Sequence, residues 1–496
     1  MGKETTLYTQ VYEALKTKIY CADYPCGSKL PSIATLVDEY NVSIITIRKA
    51  LSVLRDHGFI EMKQGKEAKV IFDNRVSPER EEYINWLTEH QDSILDIYWM
   101  HQLVVPQIVS FGAQYVDEKT LMQLKAMVNP QKIAKMGFKK VLETLHTFLI
   151  MIIAQGKNNL AVDLYSKIHT FIKTPLLLVC DNQKISENFP ENTIKNMEKV
   201  IELIEKKNFN LLYNLVKEEY QHLTLIFEDY LFKAFNREHK EKQISFMWGL
   251  NSQANFLYSI IANDILVAIC CGDYVRGEYL PSEAALCKKF QASPATIRNA
   301  LKLLNKYKII ETQNGKGSLI IYNIKNEISK KPSYSDDEIK TYLECLQLLA
   351  LIIPVWLKFS LKNIDVEKVE KFERKLAGNG DDTLGVLCNV AVLIDFICYY
   401  SPCKAVRDTY PQIISTICLN SRYRPYYQKV YPEFYKLMTL QMQEAINLMK
   451  KSDAFGVANI LLKQITTQKE LVQKIYKFKN DSFTLPFPDE KTLFNI

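Results

Sequence analysis

One stretch of this chain occurs twice, and this repeat constrains the fold more than any other feature of the sequence. Residues 23–71 and 273–321 align at a constant offset of 250, without a gap. The identical residues include Gly27 and Gly277, Pro31 and Pro281, Arg48 and Arg298, and Gly65 and Gly315. An ungapped self-similarity of this length indicates that one structural unit is present twice in the chain.

The helical part of each copy has the pattern of a helix-turn-helix. Segment 7–22 carries apolar residues at a helical period. Ser32 can cap a short second helix, and Ser43 can cap a third helix after a tight turn. Gly58 can end that third helix, since glycine tolerates the left-handed backbone of a helix terminus.

The part that follows has the pattern of a small hairpin. Residues 59–62 and 68–72 alternate like strands, with a turn at 64–66. The second copy repeats each step, with Ser282 and Ser293 as its capping residues. Each copy is therefore predicted to form a winged helix-turn-helix.

Both copies resemble the DNA-binding domain of the GntR family of regulators. The resemblance rests on three motifs: a Y-x-x-G-x-x-L-P-S segment, an S-x-x-T-I-R-x-A-L-x-x-L helix and an I-E-x-x-x-G-K hairpin. It implies that the second helix of each pair enters the major groove and that the wing contacts the minor groove or the backbone. Double-stranded DNA is therefore the expected partner, bound with sequence specificity.

The resemblance also implies which residues bind DNA. In the first copy they are Ser32, Ser43, Ile45, Thr46, Arg48, Lys49, Gln64, Gly65 and Lys66. In the second copy they are Ser282, Ser293, Ala295, Thr296, Arg298, Asn299, Asn314, Gly315 and Lys316. The threonines and arginines of this set are expected on the exposed face of the recognition helix, where arginine can pair bidentately with guanine or phosphate.

Two positions depart from the pattern of FadR-type members of that family. Those members usually carry an arginine two residues after the serine of the L-P-S segment and another directly after the second capping serine. Ala34 and Ala284 occupy the first position here, and Ile44 and Pro294 occupy the second. Because two strong contacts per domain are missing, we expect weaker or differently specified DNA binding.

Composition predicts a protein of several globular domains that is only mildly basic. The chain has 496 residues and a net charge of +7, whereas typical domains run roughly 100–200 residues. Lys and Arg outnumber Asp and Glu by 11 to 9 in residues 1–75 and by 8 to 5 in residues 258–323. Non-specific affinity for DNA should therefore be modest.

The same inspection predicts a cytoplasmic protein with no membrane partner. No apolar run reaches the roughly 18–20 residues of a membrane span, and no signal peptide is recognisable. The eleven cysteines are scattered, so disulfides are not expected.

The regions that follow the winged helices also resemble each other. They match at an offset of 248 around Pro106 and Pro354, and segments 197–208 and 442–453 match at an offset of 245. We therefore expect a mainly α chain, in which two winged helix-turn-helix domains with small β wings alternate with two all-α helical-bundle domains. The winged helices are predicted at 1–75 and 252–325, and the helical domains at 76–251 and 326–496.

The helical domains weakly resemble the all-α effector domain of FadR-type regulators, around the two prolines and the pair Leu145-His146. That resemblance implies that a small organic effector binds inside the bundle. The candidate pocket residues are Tyr115, His146, Tyr165 and His169. The alternative is that these side chains pack in the core.

No cofactor is expected to be required, and a metal is not expected. The resembling effector domains commonly hold a metal with one aspartate and three histidines. All seven histidines of this chain lie in its first half, so the second half cannot build such a site. In the first half Leu142 stands where an acidic residue is usual, and His146, His169 and His222 are weak candidates.

The residues together predict a GntR-family transcriptional regulator that is not an enzyme. No phosphate-binding loop, nucleophile elbow or supported carboxylate pair is present. Because two unlike recognition helices share one polypeptide, the chain is predicted to be a covalent pseudo-dimer that reads two unlike half-sites. It would act as a monomer or as a homodimer with four winged helices. The alternative is a ligand- or partner-binding scaffold whose winged helices no longer bind DNA.

Overall fold

The computed structural model divides into two compact units, Met1–Trp248 and Gly249–Ile496. The described residues of the first unit are 7–20, 24–40, 42–63, 67–73, 80–133, 136–179 and 189–234. Those of the second unit are 258, 261–262, 264–266, 268–269, 273–290, 292–313, 315–322, 335–377, 390–418, 429–476 and 485–488. The second unit begins at Gly249, so each unit contains one copy of the repeated stretch, 23–71 or 273–321.

The first unit begins with a winged helix-turn-helix. Its elements are α1 (Leu7–Tyr20), α2 (Ile33–Tyr40), α3 (Ile44–Asp56), β1 (Ile60–Glu61) and β2 (Lys69–Val70). The strands are antiparallel, with Ile60 opposite Val70. The core consists of side chains that are almost wholly buried, including Leu15, Leu36, Ile47, Leu54 and Phe59. Apolar residues at helical spacing therefore pack as the sequence pattern predicts.

The described residues of the first unit from Arg80 onward form helices joined by short turns. Its helices are α4 (Arg80–Glu89), α5 (Gln91–Ala113), α6 (Glu118–Met127), α7 (Pro130–Ile133), α8 (Phe138–Ala154), α9 (Asn159–Val179), α10 (Phe189–Glu205) and α11 (Phe209–Ala234). Helix α5 is central, since it packs along α11 and against α8 and α9. Gly112 allows α5 to approach α8 closely, because an added Cβ would collide with the backbone carbonyl of Ile152.

The second unit also begins with a winged helix. The described residues between 258 and 269 are helical. They are followed by α12 (Glu283–Phe290), α13 (Pro294–Lys306), β3 (Ile310–Gln313) and β4 (Gly317–Ile320). Ile310 pairs with Ile320 and Gln313 with Gly317 in the antiparallel hairpin. The pairing of Ile310 with Ile320 has the same 250-residue offset from its counterpart in the first wing.

In the second helical region several helices pack around a central helix. Its helices are α14 (Asp336–Ser360), α15 (Val366–Ala377), α16 (Val390–Tyr399), α17 (Lys404–Cys418), α18 (Pro432–Lys450) and α19 (Ala454–Ile475). Helix α14 packs against α16, α17 and α19. Together with a short 3-10 turn it is long and apolar enough to cross a membrane by length and composition, but 83% of its most apolar window is buried inside the unit. That burial is typical of a core helix.

The two helical regions share an unusual turn before their last described helix. Lys207 and Ser452 have positive φ angles of 52° and 55°. The next residue in each case, Asn208 or Asp453, has a side chain that accepts a backbone N–H bond at the start of the following helix. Segments 197–208 and 442–453 therefore have the same local geometry, in agreement with their sequence match.

Near the end of the second unit the structure describes residues 485–488, which form no regular element. The side-chain amide of Gln347, a fully buried residue of α14, donates a hydrogen bond to the carbonyl of Pro486. Leu485 packs against a cluster formed by Ile339, Leu343 and Val472. This segment therefore lies against α14 and α19.

Candidate nucleic-acid interface

Helix α3 begins directly after Ser43, which caps its N-terminus. The Ser43 hydroxyl oxygen accepts the backbone N–H of Thr46 at 3.1 Å, and the two hydroxyl groups are 2.8 Å apart. Ser43 itself is extended, with φ −66° and ψ 152°. This satisfies one of the free N–H groups of the first helical turn, so Ser43 fixes where the recognition helix starts.

The two sides of α3 have different roles. The buried side consists of Ile47, Ala50, Leu51 and Leu54. The exposed side carries Ile44, Ile45, Arg48 and Lys49, of which Ile45 is 74% exposed. Three predicted DNA-binding residues, Ile45, Arg48 and Lys49, therefore lie together on the solvent face, while Thr46 is half-buried beside the cap.

The two cations of this face have different surroundings. Arg48 makes no ion pair or side-chain hydrogen bond within the described residues. The Lys49 ammonium lies 3.9 Å from the centroid of the Tyr8 ring on α1, a cation–π contact. Arg48 is thus available to a phosphate or a base, whereas Lys49 is held towards α1. The contact with Tyr8 was not predicted from the sequence.

The second recognition helix, α13, has the same cap but a different surface. The Ser293 hydroxyl accepts the N–H of Thr296 at 3.2 Å, and Pro294 occupies the first turn, where its missing N–H costs nothing. Ala295 and Asn299 are half-buried. Thr296 was expected on the exposed face, and this is wrong, since it is 7% exposed. Its hydroxyl lies 2.8 Å from that of Ser293, as the hydroxyl of Thr46 does from that of Ser43.

The arginine of α13 is already engaged by a carboxylate. The Nε of Arg298 lies 2.9 Å from Oε2 of Glu283, the first residue of α12. At the corresponding position of the first winged helix stands Ile33. The sequence prediction missed this pair. The different residues at positions 33 and 283 would have been the signal for it.

The serines of the L-P-S segments cap the shorter helices, as predicted. The Ser32 hydroxyl oxygen accepts the N–H of Thr35 at 3.1 Å, and that of Ser282 accepts the N–H of Ala285 at 3.3 Å. Both serines are exposed. Each places a hydroxyl beside a helix N-terminus, where phosphate oxygens bind favourably.

The wing tips are only partly described. Gln64, Gly65, Lys66 and Asn314 lie outside the described residues. In the second wing Gly315 has a φ of +77°, which explains the glycine, and the exposed Lys316 donates its backbone N–H to the carbonyl of Gln313 at 3.1 Å. The hydroxyl of Tyr279 donates to the side-chain oxygen of Gln313 at 2.8 Å and so anchors this wing. Tyr279 was not predicted.

Imidazole and phenol rings gather inside the first helical region. The rings of His146 and His169 stack at 3.9 Å, and those of His146 and Tyr165 at 5.1 Å. His101, on α5, meets the Tyr220 ring at 4.1 Å. Three of the four predicted pocket residues are therefore neighbours, and His101 and Tyr220 are additions that the sequence did not reveal.

Burial governs the titration of this cluster. His101 is 2% exposed, and its burial, with His146 nearby, lowers its pKa to about 3. Burial raises the pKa of Tyr165 and of Tyr220 well above the usual value, and the two hydroxyl groups are hydrogen-bonded to each other. At neutral pH His101 and both tyrosines are therefore uncharged.

The remaining candidates of the helical region lie elsewhere. Tyr115 follows the C-terminus of α5, where it is exposed and its ring contacts Phe111 at 5.2 Å. His222 is exposed on α11. Among the described residues no group of three or more His, Cys, Asp or Glu side chains could hold a metal ion. The weak metal candidates His146, His169 and His222 therefore do not form a site.

Comparisons with known proteins agree with the geometry of the two winged helices. The family model described as bacterial regulatory proteins of the gntR family matches residues 7–70 and 257–320. The Exu regulon transcriptional regulator of Escherichia coli is 27% identical over 125 residues, which are 24% of this chain and 46% of that protein. The Uxu operon regulator of Haemophilus influenzae is 23% identical over 221 residues, 44% of this chain and 79% of that protein.

Solved structures in the comparison include Streptococcus agalactiae GntR, at 19% identity and a TM-score of 0.24, with 44% of this chain and 98% of that chain covered. Escherichia coli McbR/YncC has 14% identity and a TM-score of 0.27, with 46% of this chain and 99% of that chain covered. Both TM-scores are too low to indicate that the whole structures share a fold. The match to the Exu regulon regulator spans less than half of that protein. Each of the two winged helices matches the model of the gntR family of bacterial regulatory proteins, and the serine-capped recognition helices agree with that match.

Proposed function

We propose that this chain is a DNA-binding transcriptional regulator of the FadR type that works as a covalent pseudo-dimer. The observation that carries the proposal is the pair of serine-capped recognition helices within one polypeptide. Ordinary family members need two protomers to present two such helices, and a single chain presents both here. Covalent linkage raises the effective concentration of the second domain, so two weak domains can give useful affinity.

The proposal includes unlike half-sites. The exposed face of α3 carries Ile44, Ile45 and Arg48, whereas the first turn of α13 carries Pro294 and Ala295. Because side chains at these positions contact base edges or the adjacent phosphates, the operator is expected to be asymmetric. A cytoplasmic location belongs to the same proposal.

Control by a small organic effector in the first helical region completes the proposal. Its support is the cluster around His101, whose Nε2 is buried and has no hydrogen-bond partner within the described residues. A buried polar atom without a partner is costly, and a ligand with a suitable acceptor or donor would relieve that cost. Effector binding would act by changing the arrangement that the winged helices adopt on DNA.

Selection from a random duplex library at two salt concentrations tests the DNA-binding part. Enrichment of a motif with two unlike half-sites about one helical turn apart is the expected result. The matched control is the double variant Arg48→Ala plus Arg298→Ala, which should enrich no motif. A perfectly palindromic motif, or binding by a homodimer alone, would contradict the pseudo-dimer.

A scaffold that binds a ligand or partner protein is the second candidate, favoured by one observation. The Arg298 guanidinium is engaged by Glu283, and this places a carboxylate where DNA phosphates would approach. For a scaffold, the library selection would give no enrichment at either salt concentration. Any retained partner binding would be unaffected by the double arginine variant.

A further inference from the structure

The first turn of α3 exposes two isoleucines side by side. Ile44 is 48% exposed and Ile45 is 74% exposed, although the core of this winged helix is filled from the other side of the same helix. Both side chains are β-branched and have few rotamers. They therefore form a fixed apolar surface at the end of α3 that carries the Ser43 cap.

This apolar surface has a cationic border. Arg48 lies one turn after Ile44 and Ile45, on the same exposed face, and Lys49 follows it. The N-terminus of the helix adds a partial positive charge. Apolar groups bordered by cations at a helix N-terminus complement a surface in which base edges are flanked by phosphates.

The chemistry of the major groove decides what an isoleucine can recognise there. All four bases present hydrogen-bonding groups at their major-groove edges, and an apolar side chain leaves these groups without a partner. The 5-methyl group of thymine is the apolar group on that surface. An isoleucine that faces the groove therefore favours thymine over the other three bases.

We propose that Ile45, with Ile44 beside it, contacts thymine 5-methyl groups, so that the half-site bound by the first winged helix is specified by thymine methyls. This inference rests on the proposed DNA-binding function and names the base chemistry that one of its two half-sites contains. Arg48 then holds the phosphate or guanine next to the thymine.

The second recognition helix carries other residues at the two positions equivalent to Ile44 and Ile45. Its corresponding residues are Pro294 and Ala295, and Ala295 is half-buried with a single methyl group. Dependence on thymine methyls should therefore be confined to one half-site, and the other half-site serves as an internal control on the same duplex.

Replacement of thymine by deoxyuridine tests the proposal, because it removes the 5-methyl group and leaves the pairing edge unchanged. Each thymine of the selected duplex is replaced in turn, and the Kd of the full chain is measured by fluorescence anisotropy. At one or two positions of a single half-site we expect the Kd to rise about fourfold, the factor that corresponds to one buried methyl group.

Two variants assign the effect to the isoleucines. In Ile45→Ala, or in Ile44→Ala plus Ile45→Ala, deoxyuridine should no longer weaken binding at those positions. Leu225→Ala removes a side chain that is 63% exposed on α11, far along the chain from α3, and should keep the full effect.

The outcomes distinguish a failure of the thymine inference from a failure of the proposed DNA-binding function. If the duplex is bound with normal affinity and no deoxyuridine changes the Kd, the thymine inference is wrong and the regulator proposal stands. The same conclusion holds if the double isoleucine variant keeps the deoxyuridine effect. If no duplex is bound under any condition, the proposed function fails and takes this inference with it.

Discussion

Arg48 and Arg298 occupy the same position of two recognition helices, yet their surroundings differ. The capping serines of the two helices have nearly identical backbone angles, φ −66° with ψ 152° and φ −66° with ψ 153°. Arg298 is nevertheless bound to Glu283 at 2.9 Å. The residue equivalent to Glu283 in the first copy is Ile33, and Arg48 has no ion-pair or hydrogen-bond partner within the described residues. One residue on the neighbouring helix therefore decides whether the same backbone geometry presents an arginine that is already held in an ion pair.

The helical regions differ in a related way. His101 of α5 corresponds to Leu349 of α14 at the offset that aligns their prolines. Both residues are buried, but the first region surrounds its polar residue with His146, Tyr165 and Tyr220, and the second fills the same place with a hydrocarbon. The two regions therefore share a helical pattern but differ in the polarity of the side chains at this interior position.

Loss of the free arginine should have the largest effect on DNA binding. Arg48→Ala is expected to weaken the Kd for the selected duplex about 10- to 100-fold, roughly 1–3 kcal/mol for a direct contact with a base. Arg298→Ala should weaken it less than about threefold, because that guanidinium must first leave Glu283. Fluorescence anisotropy at fixed salt measures both values.

Lys206→Ala is the control for a general loss of positive charge, since it removes an exposed cation of the first helical region. Its Kd should equal that of the parent chain. Equal losses for the two arginine variants would show that the ion pair with Glu283 has no bearing on DNA binding.

The buried imidazole should make the first helical region sensitive to acid. Burial lowers the pKa of His101 to about 3, whereas an unfolded chain takes up a proton below about pH 6.5. The neutral imidazole therefore makes its full contribution to the free energy of unfolding above pH 6.5. This contribution decreases as the pH drops towards 3, by about 2 kcal/mol between pH 6.5 and 5. Hydrogen exchange of the α5 amides, corrected for intrinsic rates, measures this loss.

His101→Leu installs the residue that the second region uses and should remove this part of the pH dependence. It also removes a buried nitrogen without a partner, so the stability at pH 7 should stay equal or rise by about 1 kcal/mol. His222→Gln, at an exposed position on α11, is the matched control and should keep the parent's pH profile. An unchanged profile in His101→Leu would assign the acid sensitivity to other groups.

Periodicity and capping residues predicted most of the architecture. Ser43 and Ser293 fix the starts of the recognition helices through a local bond to the N–H three residues on, and a local interaction can be inferred from local sequence. The same holds for Gly58, which has a φ of 74° at the end of α3. The offset match between 197–208 and 442–453 likewise agrees with the turn that the two segments share.

The features that the sequence did not predict depend on contacts between distant segments. Glu283 reaches Arg298 from another helix, and nothing in the spacing of either residue indicates a pair. Thr296 was expected to be exposed but is buried, whereas Thr46, which makes the same local contact with its capping serine, is half-buried. His101 lies in an apolar helical pattern, which predicts burial, whereas its neighbours on α8, α9 and α11 follow only from the packing.

Exchange of the residue that holds Arg298 should produce a moderate gain. Glu283→Ile gives the second winged helix the residue of the first, and the affinity for the duplex is expected to rise about three- to fivefold, since an exposed ion pair is worth up to roughly 1 kcal/mol. The slope of log K against log salt should steepen by about one. Glu278→Gln removes a charge elsewhere in the same domain, and an equal gain there would show that net charge, rather than release of Arg298, is responsible.

The smallest effect concerns the residue that ends each recognition helix. Gly58 and Lys308 correspond in the repeat and both have positive φ angles, 74° and 58°. A residue with a side chain costs roughly 1–2 kcal/mol in this conformation, and part of that is offset because glycine loses more entropy on folding. Lys308→Gly should therefore stabilise the second winged helix by about 0.5 kcal/mol, and Gly58→Lys should destabilise the first by a similar amount.

Hydrogen exchange of the amides of α3 and α13 in the full chain measures both changes, because each reports the opening of its own winged helix. Lys306→Gly, two residues earlier and still inside α13, is the control, since glycine within a helix destabilises it by about 1 kcal/mol. The opposite signs expected for Lys308→Gly and Lys306→Gly separate relief of the left-handed backbone from the simple loss of a lysine. If both variants destabilise α13, the left-handed conformation of Lys308 carries no strain, and the difference between Gly58 and Lys308 has no energetic consequence.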